Sequence, residues 1–164
     1  MNGKESISQI QLQELVFDYK SAYLYFGIAN YNEALHWLNK IMLLSDSRTD
    51  VEFWSRILML IIRFEKGDYD TIPVLIKSTH RYFHESNRSY RFEITLLDFL
   101  KKHSTKKSDL KELETDLIFL KKELEKILEN PYEKQAMEYF DFIPWIESKL
   151  ERKTLAEVIR KKPK

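Results

Sequence analysis

Apolar residues recur along most of the chain at the three- and four-residue spacing of helices that bury one face. Ile7, Ile10, Leu12, Leu15, Val16, Tyr19, Tyr23 and Phe26 predict a first helix to about Ile28, preceded by a tail from Met1 to Ser6. Asn30 or Asn32 is placed to cap a second helix, whose stripe is Ala34, Leu35, Leu38, Ile41 and Met42. Ser45 to Arg48 is a polar break, and Thr49-Asp50-Val51-Glu52 has the spacing of a capping box. The third helix, to about Lys66, carries Phe53, Trp54, Ile57, Leu58, Leu60, Ile61, Ile62 and Phe64 nearly all round, which predicts the most buried element. Gly67 supplies its C-terminus. With Asp70 as N-cap, Pro73 falls in the first turn of a fourth helix, where a missing N–H costs no hydrogen bond. That helix runs to about Glu85.

Ser86 or Asn87 is expected to start a fifth helix through Tyr90, Phe92, Ile94, Leu97 and Leu100, with a basic break from Lys101 to Lys107. Ser108 is the expected cap of a sixth, in which Leu110, Leu113, Leu117, Leu120, Leu124 and Ile127 alternate in heptad steps. Such a seam serves either dimerisation or packing on the helices before and after it, and packing within the chain is the favoured reading. Asn130-Pro131 ends it. A seventh, aromatic helix from Tyr132 to Glu151 contains Pro144, which should kink or split it. Thr154-Leu155-Ala156-Glu157 is a second capping box, opening a short eighth helix. The pattern predicts one all-α domain over residues 1–164, of about seven or eight helices.

Sliding the chain by 38 residues pairs Leu15 with Phe53, Val16 with Trp54, Tyr19 with Ile57, Tyr23 with Ile61 and Phe26 with Phe64. It continues with Asn30 on Asp68, Tyr31 on Tyr69 and Leu38 on Ile76. A fixed period in this range signals stacked repeats, because one hairpin cannot bury its apolar face alone. Gly67-Asp68-Tyr69-Asp70 and Asn30-Tyr31-Asn32-Glu33-Ala34 resemble the turn and second-helix start of tetratricopeptide repeats, with Ala34 at the small position. The resemblance covers about residues 12–85 and implies two antiparallel hairpins in a short right-handed superhelix, with 86–164 as a helical extension or cap. The segment Tyr139-Phe140-Asp141-Phe142-Ile143-Pro144-Trp145-Ile146-Glu147 looks similar to the carboxy-terminal part of uncharacterised bacterial helical-repeat proteins. That likeness suggests a terminal piece, or a short relative, of a longer solenoid. The implied function is a non-enzymatic protein-binding scaffold, with a groove lined by the helices that carry Tyr19, Tyr23, Phe26, Trp54, Ile57, Ile61 and Phe64. Most of these should be core; their polar neighbours Asp18, Lys20, Arg56 and Arg63 are better placed to face a ligand, and no partner-binding site is named from them.

Composition adds exclusions. Lys and Arg number 27 against 26 Asp and Glu, so no global field steers the chain to nucleic acid or membrane. No Cys is present, which removes disulfides, thiolate metal sites and a thiol nucleophile. The longest apolar run, Ile57 to Ile62, falls far short of a membrane span, and a cytoplasmic protein is expected. His80 and His84 share a helix face beside Glu85 but lack the Glu of a helical metalloprotease motif, and His36 and His103 are isolated. The carboxylate pairs Asp68/Asp70 and Glu112/Glu114 read as turn chemistry and a charged heptad flank rather than as an acid–base site. With Gly3, Gly27 and Gly67 the only glycines, there is no phosphate loop. Two basic clusters remain: Lys101, Lys102, His103, Lys106 and Lys107, then Arg152, Lys153, Arg160, Lys161, Lys162 and Lys164. Each sits at a helix end, where cations oppose the helix dipole, and they leave a nucleic-acid adaptor as the alternative to a protein scaffold, beside a homodimer through the heptad seam. No catalytic, metal or cofactor residue is expected.

Overall fold

The computed structural model describes residues 8–44, 49–86, 90–105 and 108–163. Among them every regular element is helical: α1 (Gln9–Gly27), α2 (Tyr31–Leu44), α3 (Asp50–Lys66), α4 (Ile72–Glu85), α5 (Arg91–Thr105), α6 (Leu110–Ile127), α7 (Pro131–Lys134), α8 (Phe142–Glu151) and α9 (Leu155–Lys161), with 3-10 turns at Tyr69–Thr71 and Gln135–Glu138. None is long and apolar enough to cross a membrane. The chain divides into two compact units, Met1–Ile62 and Arg63–Lys164, with the division inside α3. The expected tail at 1–6 and break at 45–48 lie outside the described residues.

In the first unit α1 and α2 form an antiparallel hairpin. Ser8 caps α1: its hydroxyl accepts from the Gln11 N–H while the Gln11 side chain accepts from the Ser8 N–H. The Asn30 side chain accepts from the Glu33 N–H at the start of α2. Leu15, Tyr19, Ala22 and Phe26 meet Ala34, Leu35, Leu38 and Ile41 in its core. Asp18 is buried with them and held by Lys40 at 3.3 Å, so it does not face a ligand as the sequence suggested. The Thr49 hydroxyl accepts from the Glu52 N–H and opens α3, whose Phe53, Ile57, Leu58, Ile61 and Ile62 are fully buried. Arg56, also expected to face a ligand, is paired with Glu52 at 3.4 Å.

The second unit starts at the last turn of α3, and α4 to α9 pack in sequence: α4 on α5, α5 on α6, α6 on α8 and α8 on α9. Leu117, Leu120, Leu124 and Ile127 of the heptad seam are buried within the fold, while Leu113 is half-buried and Leu110 exposed at its start. Several expected boundaries are corrected. Asp70 does not cap α4; it lies in the 3-10 turn, Thr71 holds the cap position, and Pro73 still falls in the first helical turn. Ser86 ends α4, and α5 begins only at Arg91 and runs through the expected break to Thr105. Asp109, not Ser108, caps α6, accepting from the Lys111 and Glu112 N–H groups at 2.5 and 3.2 Å. The expected seventh helix is split upstream of Pro144, which sits in the first turn of α8. Its missing N–H removes no bond there. The Thr154/Glu157 capping box forms as predicted.

The two turns set 38 residues apart share one backbone pattern. In the first, Asn30 N–H donates to the Tyr25 carbonyl and Ala29 N–H to that of Phe26. In the second, Asp68 N–H donates to Arg63 and Gly67 N–H to Phe64, the same atoms shifted by 38. Ala29 and Gly67 are left-handed, at φ of 61° and 74°. This helix end is the Schellman type, and α8 ends the same way through Arg152 at φ of 56°. It accounts for the left-handed residue at the end of each helix without itself singling out a family.

Candidate partner-binding surface

In the second unit α5 presents Thr95, Asp98, Phe99 and Lys102, and α6 presents Asp116, Phe119, Leu120 and Glu123, each set at i, i+3, i+4 and i+7. Facing each other they line a groove of about 430 Å³. Phe99 and Leu120 are buried and make its apolar floor, while Phe119 stands 63% exposed on the wall. Antiparallel helices place Lys102 opposite Asp116 at one end and Thr95 opposite Glu123 at the other.

The Lys102 end is closed by charge. The Lys102 ammonium lies 2.5 Å from Asp116 and 3.5 Å from Glu112. Its hydrogen bond to Asp116 raises the Lys102 pKa and, with a second bond from His103, holds the Asp116 carboxyl below its ordinary range. His103, an isolated residue in the sequence, is buried with Nε2 2.8 Å from Asp116 and Nδ1 2.7 Å from the Ser108 hydroxyl. A carboxylate only accepts, so Nε2 carries the hydrogen shared with Asp116. This is the connectivity of a nucleophile relay, but its surroundings are committed elsewhere. The Asp109 carboxylate occupies the α6 amides nearest Ser108, where a developing oxyanion would need donors, and Lys102 compensates Asp116. The cluster ties the end of α5 to the start of α6.

A second polar cluster fixes the head of α5. The Glu133 carboxylate, from α7, accepts from the Arg91 N–H at 2.7 Å and the Phe92 N–H at 3.3 Å, two of the amides that a helix start leaves without an intrahelical acceptor. Glu93, one turn in, is 3% exposed, and burial pushes its carboxyl up to about 8. The neighbouring negative Glu133 adds to the rise, and a hydrogen bond with the Tyr90 backbone works against it. His80 on α4 lies 3.7 Å from Glu93, while His84 is exposed. Among the described residues no group of three or more His, Asp or Glu is placed to hold a metal ion.

A third joins α8 to the end of α3: Glu65 accepts from the Trp145 indole at 2.7 Å and from Lys149 at 2.5 Å. Phe64 packs edge-on to Phe99, and Arg63, expected to face a ligand, pairs with Asp68 at 3.0 Å. Asp68 and Asp70 line an open hollow of about 440 Å³ at this turn. In the basic clusters three described cations are paired with carboxylates, Lys102 as above, Lys153 with Glu151 and Lys162 with Glu147. Lys106, Lys107 and Lys164 lie outside the described residues.

In the first unit Ile10, Phe17 and Leu24 fall seven residues apart on α1 and are 63–72% exposed, with the Trp37 ring edge-on to Phe17 at 5.9 Å. Of the residues expected to line a groove, Tyr19, Phe26, Trp54, Ile57, Ile61 and Phe64 are buried as core.

Comparison with protein-family models, with curated proteins and with solved structures returns no match.

Proposed function

We propose that the chain is a non-enzymatic scaffold of tetratricopeptide-like type that binds another protein or peptide in the cytoplasm. The observation that carries the reading is Phe119, held 63% exposed over a groove whose floor is apolar and whose rim is charged. Concave apolar sites with a few convergent polar groups are what ligands occupy, and aromatic side chains dominate interface energetics. The 38-residue repeat supports the helical-repeat assignment, and the shared turn geometry at Ala29 and Gly67 agrees with it. The alternative of a nucleic-acid adaptor is weakened by the pairing of Lys102, Lys153 and Lys162 with carboxylates, and a dimer through the α6 seam by the burial of its Leu117, Leu120, Leu124 and Ile127.

The test is quantitative capture from lysate with the wild-type chain and with Phe119→Ser and Phe17→Ser, followed by a broad hydrolase and transferase screen of the purified protein. Enrichment of a protein that either surface variant abolishes, together with no turnover, is the expected result. Turnover, or capture indifferent to both variants, would refute the proposal.

A further inference from the structure

We infer that the α5–α6 groove takes an amphipathic helix carrying an arginine beside its apolar anchors, with the guanidinium placed over the Phe119 ring between Asp98 and Glu123. This rests on the scaffold reading and names the partner's chemistry. Two antiparallel helices leave a furrow suited to a third, and helix-in-groove recognition uses anchors at the same i, i+3, i+4, i+7 steps that the walls display. The apolar floor of Phe99 and Leu120 receives the anchors.

Charge decides the polar position. Lining the groove are three carboxylates, Asp98, Asp116 and Glu123, and one ammonium, Lys102. Asp116 is already paired with Lys102 and bonded by His103, whereas Asp98 and Glu123 bring two carboxylates to the groove with no lining cation beside them. Phe119 stands on α6 one turn before Glu123, and the antiparallel register sets Asp98 on the facing α5 wall near the same level. A cation over an aromatic face within about 6 Å is attracted by the ring quadrupole, and Arg does this more often than Lys because its planar group also stacks. An acidic or purely apolar helix would satisfy the floor and leave both carboxylates facing repulsion or desolvation.

The probes are two fluorescently labelled helical peptides with identical leucine anchors, one bearing Arg at the remaining inward position and the other Glu, titrated by anisotropy at low and at high salt. The Arg peptide should bind at least about tenfold more tightly than the Glu peptide, with the margin narrowing as salt rises. Phe119→Ala should weaken the Arg peptide by about tenfold or more. The double change Asp98→Lys with Glu123→Lys should invert the preference. Asp98 is exposed and Glu123 half-buried at the rim, and unchanged helical circular dichroism confirms an intact fold. Equal binding of the two peptides, no binding of either, or Arg binding that survives Phe119→Ala overturns the inference. If that surviving binding is lost in Phe17→Ser, the groove fails while the scaffold reading stands; turnover by the purified protein removes the scaffold reading itself.

Discussion

Glu93→Gln isolates the energetic consequence of burying a carboxyl at the head of α5. Glu93 is 3% exposed, faces Glu133 and His80, and titrates at about 8 instead of 4.5. Between those two values the folded chain holds a proton that the unfolded chain has released. Stability from this group is therefore complete below about pH 4.5, declines as pH rises, and is lost once pH passes about 8. The slope is at most about 1.4 kcal/mol per pH unit, so the whole interval has a ceiling of roughly 4–5 kcal/mol. An imidazolium at His80, 3.7 Å away, would oppose the effect by favouring the ionised form. Glutamine imitates the protonated acid and can still accept from the Tyr90 backbone, so the variant should match wild type near pH 4.5 and exceed it increasingly above. Urea unfolding followed by circular dichroism from pH 5 to 9 reads this directly, with about 1 kcal/mol lost per pH unit in wild type and a flatter profile in Glu93→Gln. Parallel profiles for the two proteins would refute the buried-acid argument.

Other outcomes follow from neighbouring geometry. Glu133→Ala should cost roughly 3 kcal/mol in urea unfolding by stripping two amides of a charged acceptor, and should also return the Glu93 titration toward the ordinary carboxyl range, checked by side-chain NMR. Ala29→Gly should stabilise by about 1 kcal/mol and Gly67→Ala destabilise by a similar amount, both read as shifts in Tm. The residues share a left-handed backbone, and a Cβ at Gly67 would meet no atom within 4 Å, so the penalty is conformational and not steric. Lys40→Ala should cost about 2 kcal/mol, because Asp18 would be left as an uncompensated buried charge; Asp18→Asn in the same background should recover part of that loss in a double-mutant cycle.

Helical periodicity made most of this architecture readable. The stripes of α1 to α6 and the caps at Asn30, Thr49 and Thr154 depend on residues within one turn of each other, and local sequence contains them. The start of α5 was not readable, because its acceptor is Glu133, 42 residues downstream of Arg91. His103 looked isolated for the same reason: Asp116 lies 13 positions away and meets it only when α5 and α6 are antiparallel. Ser108 was mistaken for a cap because serine and aspartate both suit that role, and the tie to His103 decides between them. The break near Pro144 was expected, but proline at the first turn of α8 marks where a helix begins, and the chain separates earlier, at residues 139–141. The repeat pattern drew attention to α1 and α3, whereas exposure of Phe119 depends on how α6 is rotated once its leucine seam is buried, which a heptad alone does not show.

The reach of Glu133 back to α5 makes two distant stretches behave as one cooperative block. Hydrogen exchange at the Arg91 and Phe92 amides should then follow the opening of α7, and not the slower rhythm of the α5 interior. A chain ended just before residue 131 would keep every residue of α5 and still begin that helix later, so its length is set by a part of the protein synthesised only after it.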